Sequence, residues 1–442
     1  MKRLHATSCV LFALILLVSV AGADTQTGPL SERDESLISL VDEALSQNAQ
    51  LQAAEARWQM FMHKVSPASA LSDPRLSMAF SSYPVDSLAS DAYAMTGNEL
   101  KLEQALPFPG KLALKGEVAR QQALWYKAVY LDQRGDVARL VRDHWYRLYY
   151  LDHALELVTK NLEVLDQLSR LSEARFAVGK GMQQDVLRAQ LQQSKLTDRQ
   201  LSLTQQREAV RAELNALLSR DEGDFVSLGV EDALPELPDA DAAIEALASK
   251  RPMFKAYSAL IEQYQASKQL AQRDYYPDFG LWASYRFRDD NLPDGGEDFV
   301  SAGVSLNLPF YVGKRRAAVA GADAGVSMAY QQYQQVLDRT ISEVRKTRAE
   351  LEKNRKLVLL YRTGIIPQAQ QSFDSVLSAY QVGKASFLEL MDSLSALYNY
   401  QIDYYRALSD YRRVEARFIQ LSGSEASVYQ IDSDTAGDRK SP

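Results

Sequence analysis

A chain of 442 residues has room for two or three ordinary domains, yet it carries only 14 prolines, with none between Pro109 and Pro235, a distribution that favours long helices. The formal charge of −7, or −9 once Lys2 and Arg3 leave with a leader, is spread over both signs without a basic block, which excludes nucleic acid as a partner. The only cysteine is Cys9, and beyond His5 the histidines are His63, His144 and His153, none at metal-ligand spacing, so no metal centre and no cofactor is expected.

In chain order, Lys2 and Arg3 precede an apolar run from Val10 to Val20 and the small residues Ala21-Gly22-Ala23. This is the pattern of a secretory signal over residues 1–23, and the run is too short to span a bilayer as a helix. Cys9 lies at the start of the run rather than at the cut, so no acyl anchor of the lipoprotein kind is expected on the mature chain. No later stretch reaches 18 consecutive apolar residues. An exported soluble protein or a β-barrel remains.

After an N-terminal segment at 24–35 the chain repeats itself at an offset of about 203 residues, far beyond solenoid periods. Leu106-Pro107-Phe108-Pro109-Gly110-Lys111 returns as Leu308-Pro309-Phe310-Tyr311-Val312-Gly313-Lys314, with one residue inserted. Val178-Gly179-Lys180 returns as Val382-Gly383-Lys384, and Pro74 falls opposite Pro277. The repeats are placed at 36–230 and 242–423, with an acidic, proline-containing linker at 231–241 and a polar tail, expected to be disordered, at 424–442.

Each repeat reads as helix, strand, loop, strand, very long helix, tight turn and returning helix. Leu40, Ala44, Leu51, Ala54 and Trp58 predict one helix from Leu37 to about Met62. Period-2 alternation predicts strands around Leu76–Phe80, Leu100–Leu106, Phe279–Phe287 and Val300–Leu308. From Lys111 to Ala177 there is no proline, and Gly116 and Gly135 are the only glycines. A helix of that length reaches roughly 100 Å and must lie along other long helices. The turn at Val178–Gly181 sends the chain back through Gln183–Leu218; in the second repeat Arg315–Tyr380, kinked near Gly364 and Pro367, returns through Phe387–Leu421.

The strands carry one apolar and one mostly polar face over about ten residues, the pattern of membrane strands with lipid outside and water inside, although a half-buried soluble sheet alternates in the same way. Four strands cannot close a barrel, and an open edge in lipid leaves backbone groups unpaired, so strands must be pooled between chains. Three chains give twelve, enough to enclose water.

On the strength of the duplicated order and the Leu106–Lys111 segment, the sequence resembles the TolC family of outer-membrane efflux proteins, in particular the CzcC and CusC heavy-metal branch. The resemblance covers about 36–423. It implies a mainly α fold with a transmembrane portion, in which four strands per protomer join a twelve-stranded trimeric barrel above a long periplasmic α-helical barrel. It also implies a homotrimer in the outer membrane of a Gram-negative bacterium, docked on a periplasmic adaptor and fed by an inner-membrane RND-type pump. No catalysis is implied. Metal cations lead as substrate, with drugs or other small toxic molecules next.

In such a channel the reversals at Gly179-Lys180 and Gly383-Lys384 are candidates for docking the adaptor, in addition to capping their helices. Glu389 and Asp392, three apart on one helix, are candidates for an acidic constriction at the periplasmic aperture, against the alternative of a solvated helix surface. Six carboxylates from three chains would repel, raise one another's pKa and favour cations. Asp185 matches Glu389 in the first repeat, whereas Arg188 replaces the second acid. Trp145, Tyr146, Tyr149 and Tyr150 read as packing between long helices. The reading of a different class is a soluble periplasmic coiled-coil adaptor or scaffold; a secreted enzyme would need a polar constellation that is missing.

Overall fold

Apolar spacing carries the chain into helix at Leu37, but α1 (Leu37–Gln47) and α2 (Ala49–His63) are two helices rather than the single one expected. Asn48 separates them: its backbone is extended, its Oδ1 accepts the Leu51 N–H at 3.1 Å, and its Nδ2 donates to the Leu217 carbonyl at 2.9 Å. A short amide side chain that can cap a new helix outcompetes continuation of the old one. The computed structural model describes residues 37–223, 225, 234–292 and 294–423. The expected signal and N-terminal segment, residues 231–233 of the linker and the tail lie outside the described residues.

A short α3 (Val65–Ser69) leads into β1 (Arg75–Ser81) and β2 (Gly97–Leu106), followed by α4 (Lys111–Ala177), 67 residues long with the bounds expected from sequence, and by α5 (Gln183–Leu218). The second repeat runs through α6 (Ala240–Lys250), α7 (Pro252–Arg273), β3 (Phe279–Phe287) and β4 (Phe299–Leu306), the last two residues short of expectation. Its first helix also breaks in two, at Arg251, which is the position of Asn48 advanced by 203 residues.

The second long helix starts at Val312 and is interrupted where a kink was expected: α8 (Val312–Leu360), a π turn at Tyr361–Ile365, then α9 (Ile366–Gln381) and α10 (Phe387–Ser422). From Lys111 to Val178 is 67 residues, whereas from Lys314 to Val382 is 68. A π turn holds one residue more than an α turn. It absorbs the extra residue, so the helix beyond it keeps its facing.

The four strands form one antiparallel sheet in the order β1-β2-β3-β4. The register places Met78, Leu100, Tyr285 and Val300 side by side on one face. This face is apolar and uncovered: Met78 is 60% exposed and Val300 76%. The opposite face aligns Arg75, Glu103, Trp282 and Gly303 in one row and Ser77, Lys101, Ser284 and Ser301 in the next. Two ion pairs lie on it, Arg286 to Glu99 at 3.0 Å and Lys101 to Glu103 at 3.4 Å. Strands β1 and β4 each keep one unpaired edge.

The core lies among the helices. Leu40, Val41 and Ala44 of α1 pack with Val141 and Leu148 of α4 and Leu214 of α5, all fully buried. Also from α4, Tyr149 joins Leu351 and Val358 of α8 and Leu408 and Tyr411 of α10. Ion pairs between helices are shielded here, as between Arg251 and Asp132 at 3.2 Å and between Arg207 and Asp152 at 2.7 Å. Buried Trp145 and Tyr149 belong to these packed layers, in agreement with a packing role for the aromatic cluster.

Candidate functional site at the hairpin tips

Helix α4 leaves the sheet through the Leu106–Lys111 segment and ends at Ala177, so its far end stands roughly 100 Å along the helix from the strands. There the chain reverses twice, and both reversals have the same build. At the first, the Gly179 N–H donates to the Phe176 carbonyl at 3.0 Å and the Lys180 N–H to the Arg175 carbonyl at 2.8 Å. At the second, Gly383 donates to Tyr380 at 3.0 Å and Lys384 to Ala379 at 2.8 Å. This is the Schellman closure, which needs a left-handed residue after the helix. Gly179 and Gly383 supply it with φ of 69° and 77°. Two turns of one design thus hold Lys180 and Lys384 in solvent beside Val178 and Val382, which are 67% and 70% exposed.

The tips are joined by a residue that sequence reading missed. The Arg175 guanidinium lies 4.7 Å from the Tyr380 ring centroid, and its Nη1 donates to the Tyr380 carbonyl at 2.8 Å. A cation on the last carbonyls of α9 also complements that helix's dipole. Beneath, Leu165, Leu168 and Ala189 of the first hairpin pack with Tyr380, Phe387 and Leu390 of the second. Nothing in the local sequence of Arg175 signals a partner 205 positions away.

Glu389 and Asp392 are both exposed near the start of α10, and Asp185 sits half-buried in the first turn of α5. Glu389 has a second task. It closes a capping box in which the Ser386 N–H donates to Glu389 Oε2 at 2.7 Å, the Ser386 hydroxyl donates to the same oxygen at 3.0 Å, and the Glu389 N–H donates to Ser386 Oγ at 3.2 Å. The signal, Ser-x-x-Glu before an apolar run, was present in the sequence. The Ser386 backbone N–H, followed by its hydroxyl, holds the Glu389 carboxyl below its ordinary pKa. Within one chain this is opposite to the rise expected from crowding, because two donors outweigh like charges that a single chain does not bring close. Asp185 has no such cap: α5 starts after Met182 without a side-chain bond. Among the described residues no hydrogen bond or ion pair joins Asp185 to Glu389 or Asp392, and no three metal-ligating side chains cluster.

No helix among the described residues is long and apolar enough to cross a membrane. The outer membrane efflux protein family matches residues 40–220 and 243–424, that is, both copies of the unit described above. The chain belongs to the outer membrane efflux protein family. Among curated relatives, the cobalt-zinc-cadmium resistance protein CzcC of Cupriavidus metallidurans is 22% identical over 302 residues, 67% of this chain and 69% of CzcC. The outer membrane efflux protein BepC of Brucella suis is 24% identical over 417 residues, 92% of this chain and 87% of BepC. The CusC structure, solved in work on folding and transmembrane channel formation, superposes with a TM-score of 0.74 at 16% identity, covering 88% of this chain and 92% of CusC. The fold is therefore TolC-like, as the repeat and the Leu106–Lys111 segment implied.

Proposed function

We propose that this efflux-family chain is one protomer of a homotrimeric outer-membrane duct, with twelve pooled strands in the membrane and the long helices forming a tunnel through the periplasm. The observation that carries this reading is the sheet: one face is uncovered and apolar, the other is polar and carries two ion pairs, and both edges are open. In lipid an open edge is forbidden, so strands from other copies must close the ring. The duct performs no reaction. It passes substrate delivered by a periplasmic adaptor and an inner-membrane RND-type pump, the adaptor meeting Gly179, Lys180, Gly383 and Lys384. Metal cations lead as cargo, supported by the name of the CzcC relative, with drugs or other small toxic molecules second.

Glu389 and Asp392, with Asp185 beside them, would line the aperture at the tip end and favour cations there. Because Glu389 also caps α10, the charge has to be removed without removing the cap. The test is single-channel conductance in a planar bilayer, comparing the wild-type chain with Glu389→Gln/Asp392→Asn. Cation-selective channels that lose selectivity in the variant support both duct and aperture. Channels of unchanged selectivity retain the duct and remove the acidic aperture, and a water-soluble protein without channels overturns the whole reading.

A further inference from the structure

The end of α10 abuts the start of α7: a methyl on Gly423, just past α10, would come within 2.6 Å of the Arg251 backbone nitrogen. Both helices pack against α4 and α8, and a cavity of about 840 Å³ opens between the four. Its charges are unevenly paired. Arg413 serves two carboxylates, Asp143 at 2.8 Å and Asp410 at 3.0 Å, and Arg417 serves two more, Glu343 and, at 4.0 Å, Glu350. Two arginines thus hold four of the cavity's acids.

The end nearest α7 is different. Arg251 is taken by buried Asp132 at 3.2 Å, and its Nη1 donates to Thr340 Oγ1 at 3.4 Å, which sets the Arg339-Thr340 turn of α8 at this end. The remaining acid, Asp136, accepts from the Gln420 amide at 3.0 Å and stands 4.0 Å from Arg139, which sets that turn of α4 at the same end. Burial, helped by the Asp132 charge, pushes the Asp136 carboxyl above its ordinary pKa and weakens what it offers Arg139. Arg139 therefore has a partner only at the limit of an ion pair. Arg339 has none, for among the described residues it makes no hydrogen bond or ion pair. Beside the two guanidiniums lie half-buried Met253 and Tyr257 of α7 and Val336 of α8.

We propose that the α7 end of this cavity binds small organic anions, a carboxylate or sulfonate held by Arg139 and Arg339 while the apolar part of the molecule lies on Met253, Tyr257 and Val336. Guanidinium forks match such oxyanions in shape as well as charge, and the apolar neighbours add an attraction that a hydrated inorganic ion would not use. A metal ion is not the fitting ligand, because no three metal-ligating side chains cluster among the described residues. The site is built by one chain and stands apart from how copies assemble. That such anions pass as cargo rests on the duct reading above, where they fall among the small toxic molecules rather than the metal cations.

Isothermal titration calorimetry of the full chain in a non-ionic detergent tests the site with benzenesulfonate, neutral benzenesulfonamide and benzylammonium. Benzenesulfonate is expected to bind saturably, at least about tenfold tighter than either other probe, and more weakly as salt rises. Arg139→Gln and Arg339→Gln are each expected to weaken it about tenfold, as loss of one charge-assisted hydrogen bond would. Arg339 is exposed and Arg139 half-buried, so both variants are expected to keep the wild-type melting temperature. Lys353, which also lines the cavity, lies 14 residues farther along α8, roughly 21 Å away, and Lys353→Gln is expected to change binding less than about twofold. An equal loss in Lys353→Gln and Arg339→Gln overturns the placement at the α7 end. Equal affinity for the sulfonamide leaves only the apolar wall, and tighter binding of benzylammonium assigns the cavity to its acids; either overturns the anion site, as does the absence of saturable binding. Single-channel recording of the same preparation keeps the two readings apart. Binding without channels upholds the site and overturns the duct, whereas channels without binding overturn the site alone.

Discussion

Lys111 and Lys314 close the same motif in the two repeats, yet Lys111 is buried between Asp274 and Asp278 while Lys314 lies in solvent. The two long helices diverge as well, α4 running unbroken for 67 residues and its counterpart carrying a π turn at Tyr361–Ile365. A repeat therefore conserves the order of elements and the facing of side chains, while each copy settles its own ends with whatever neighbour it has. The first copy finds its neighbour within the chain.

The largest test of this contrast is a single deletion. Removing Arg345 turns the stretch of α8 beyond it by about 100° and takes buried Leu351 and Val358 off their seam, at an expected cost above about 4 kcal/mol. Removing Thr363 instead takes the extra residue out of the π turn and is expected to cost under about 1 kcal/mol. Thermal unfolding in detergent reads both, and equal losses would mean that the π turn does not absorb the added residue.

Next in size is the lysine pair. Lys111→Ala leaves two partly exposed carboxylates without their cation and is expected to cost about 2–3 kcal/mol, less than the value for a fully buried pair. Lys314→Ala is expected to change stability by under about 0.5 kcal/mol. Parity between the two would show that burial of Lys111 contributes nothing.

At the tips the copies should agree. Gly179→Ala and Gly383→Ala each force a side chain into the left-handed region and are expected to cost about 1 kcal/mol apiece. A loss at one tip alone would break the equivalence of the reversals.

The smallest effect separates the helices that follow. Glu389→Ala should speed amide hydrogen exchange in the first turn of α10, Glu389→Gln much less, and Asp185→Ala should leave α5 unchanged. Because the Glu389 carboxyl titrates below its ordinary value, the cap is fully present above the unfolded pKa of about 4.3 and is lost as pH falls through the folded one. Protection in α10 that rises on acidification would contradict this sign.

The bounds of α4 were legible because Pro109-Gly110 and Val178-Gly179 punctuate a run with no other break. The strands were legible because their alternation has period 2, although β4 stops at Leu306 before the proline that cannot donate to a ladder. The breaks at Asn48 and Arg251 were not, since apolar spacing continues through both. Asn48 gains its advantage from the Leu217 carbonyl, 169 residues away. The tip glycines were read from Val-Gly-Lys alone, whereas Arg175 acts through Tyr380 and no pattern connects them. Glu389 was noticed for its charge, and its capping partner Ser386, three residues before it, was overlooked.

The length of α4 also makes the protein a lever. A rigid helix of roughly 100 Å tilted by about 3° at its sheet end carries the other end about 5 Å sideways. The fulcrum is the place where Lys111 is gripped by Asp274 and Asp278. Small changes in that grip would be magnified at Val178–Gly181, so the residues that set the position of this hairpin tip include some at the far end of the helix.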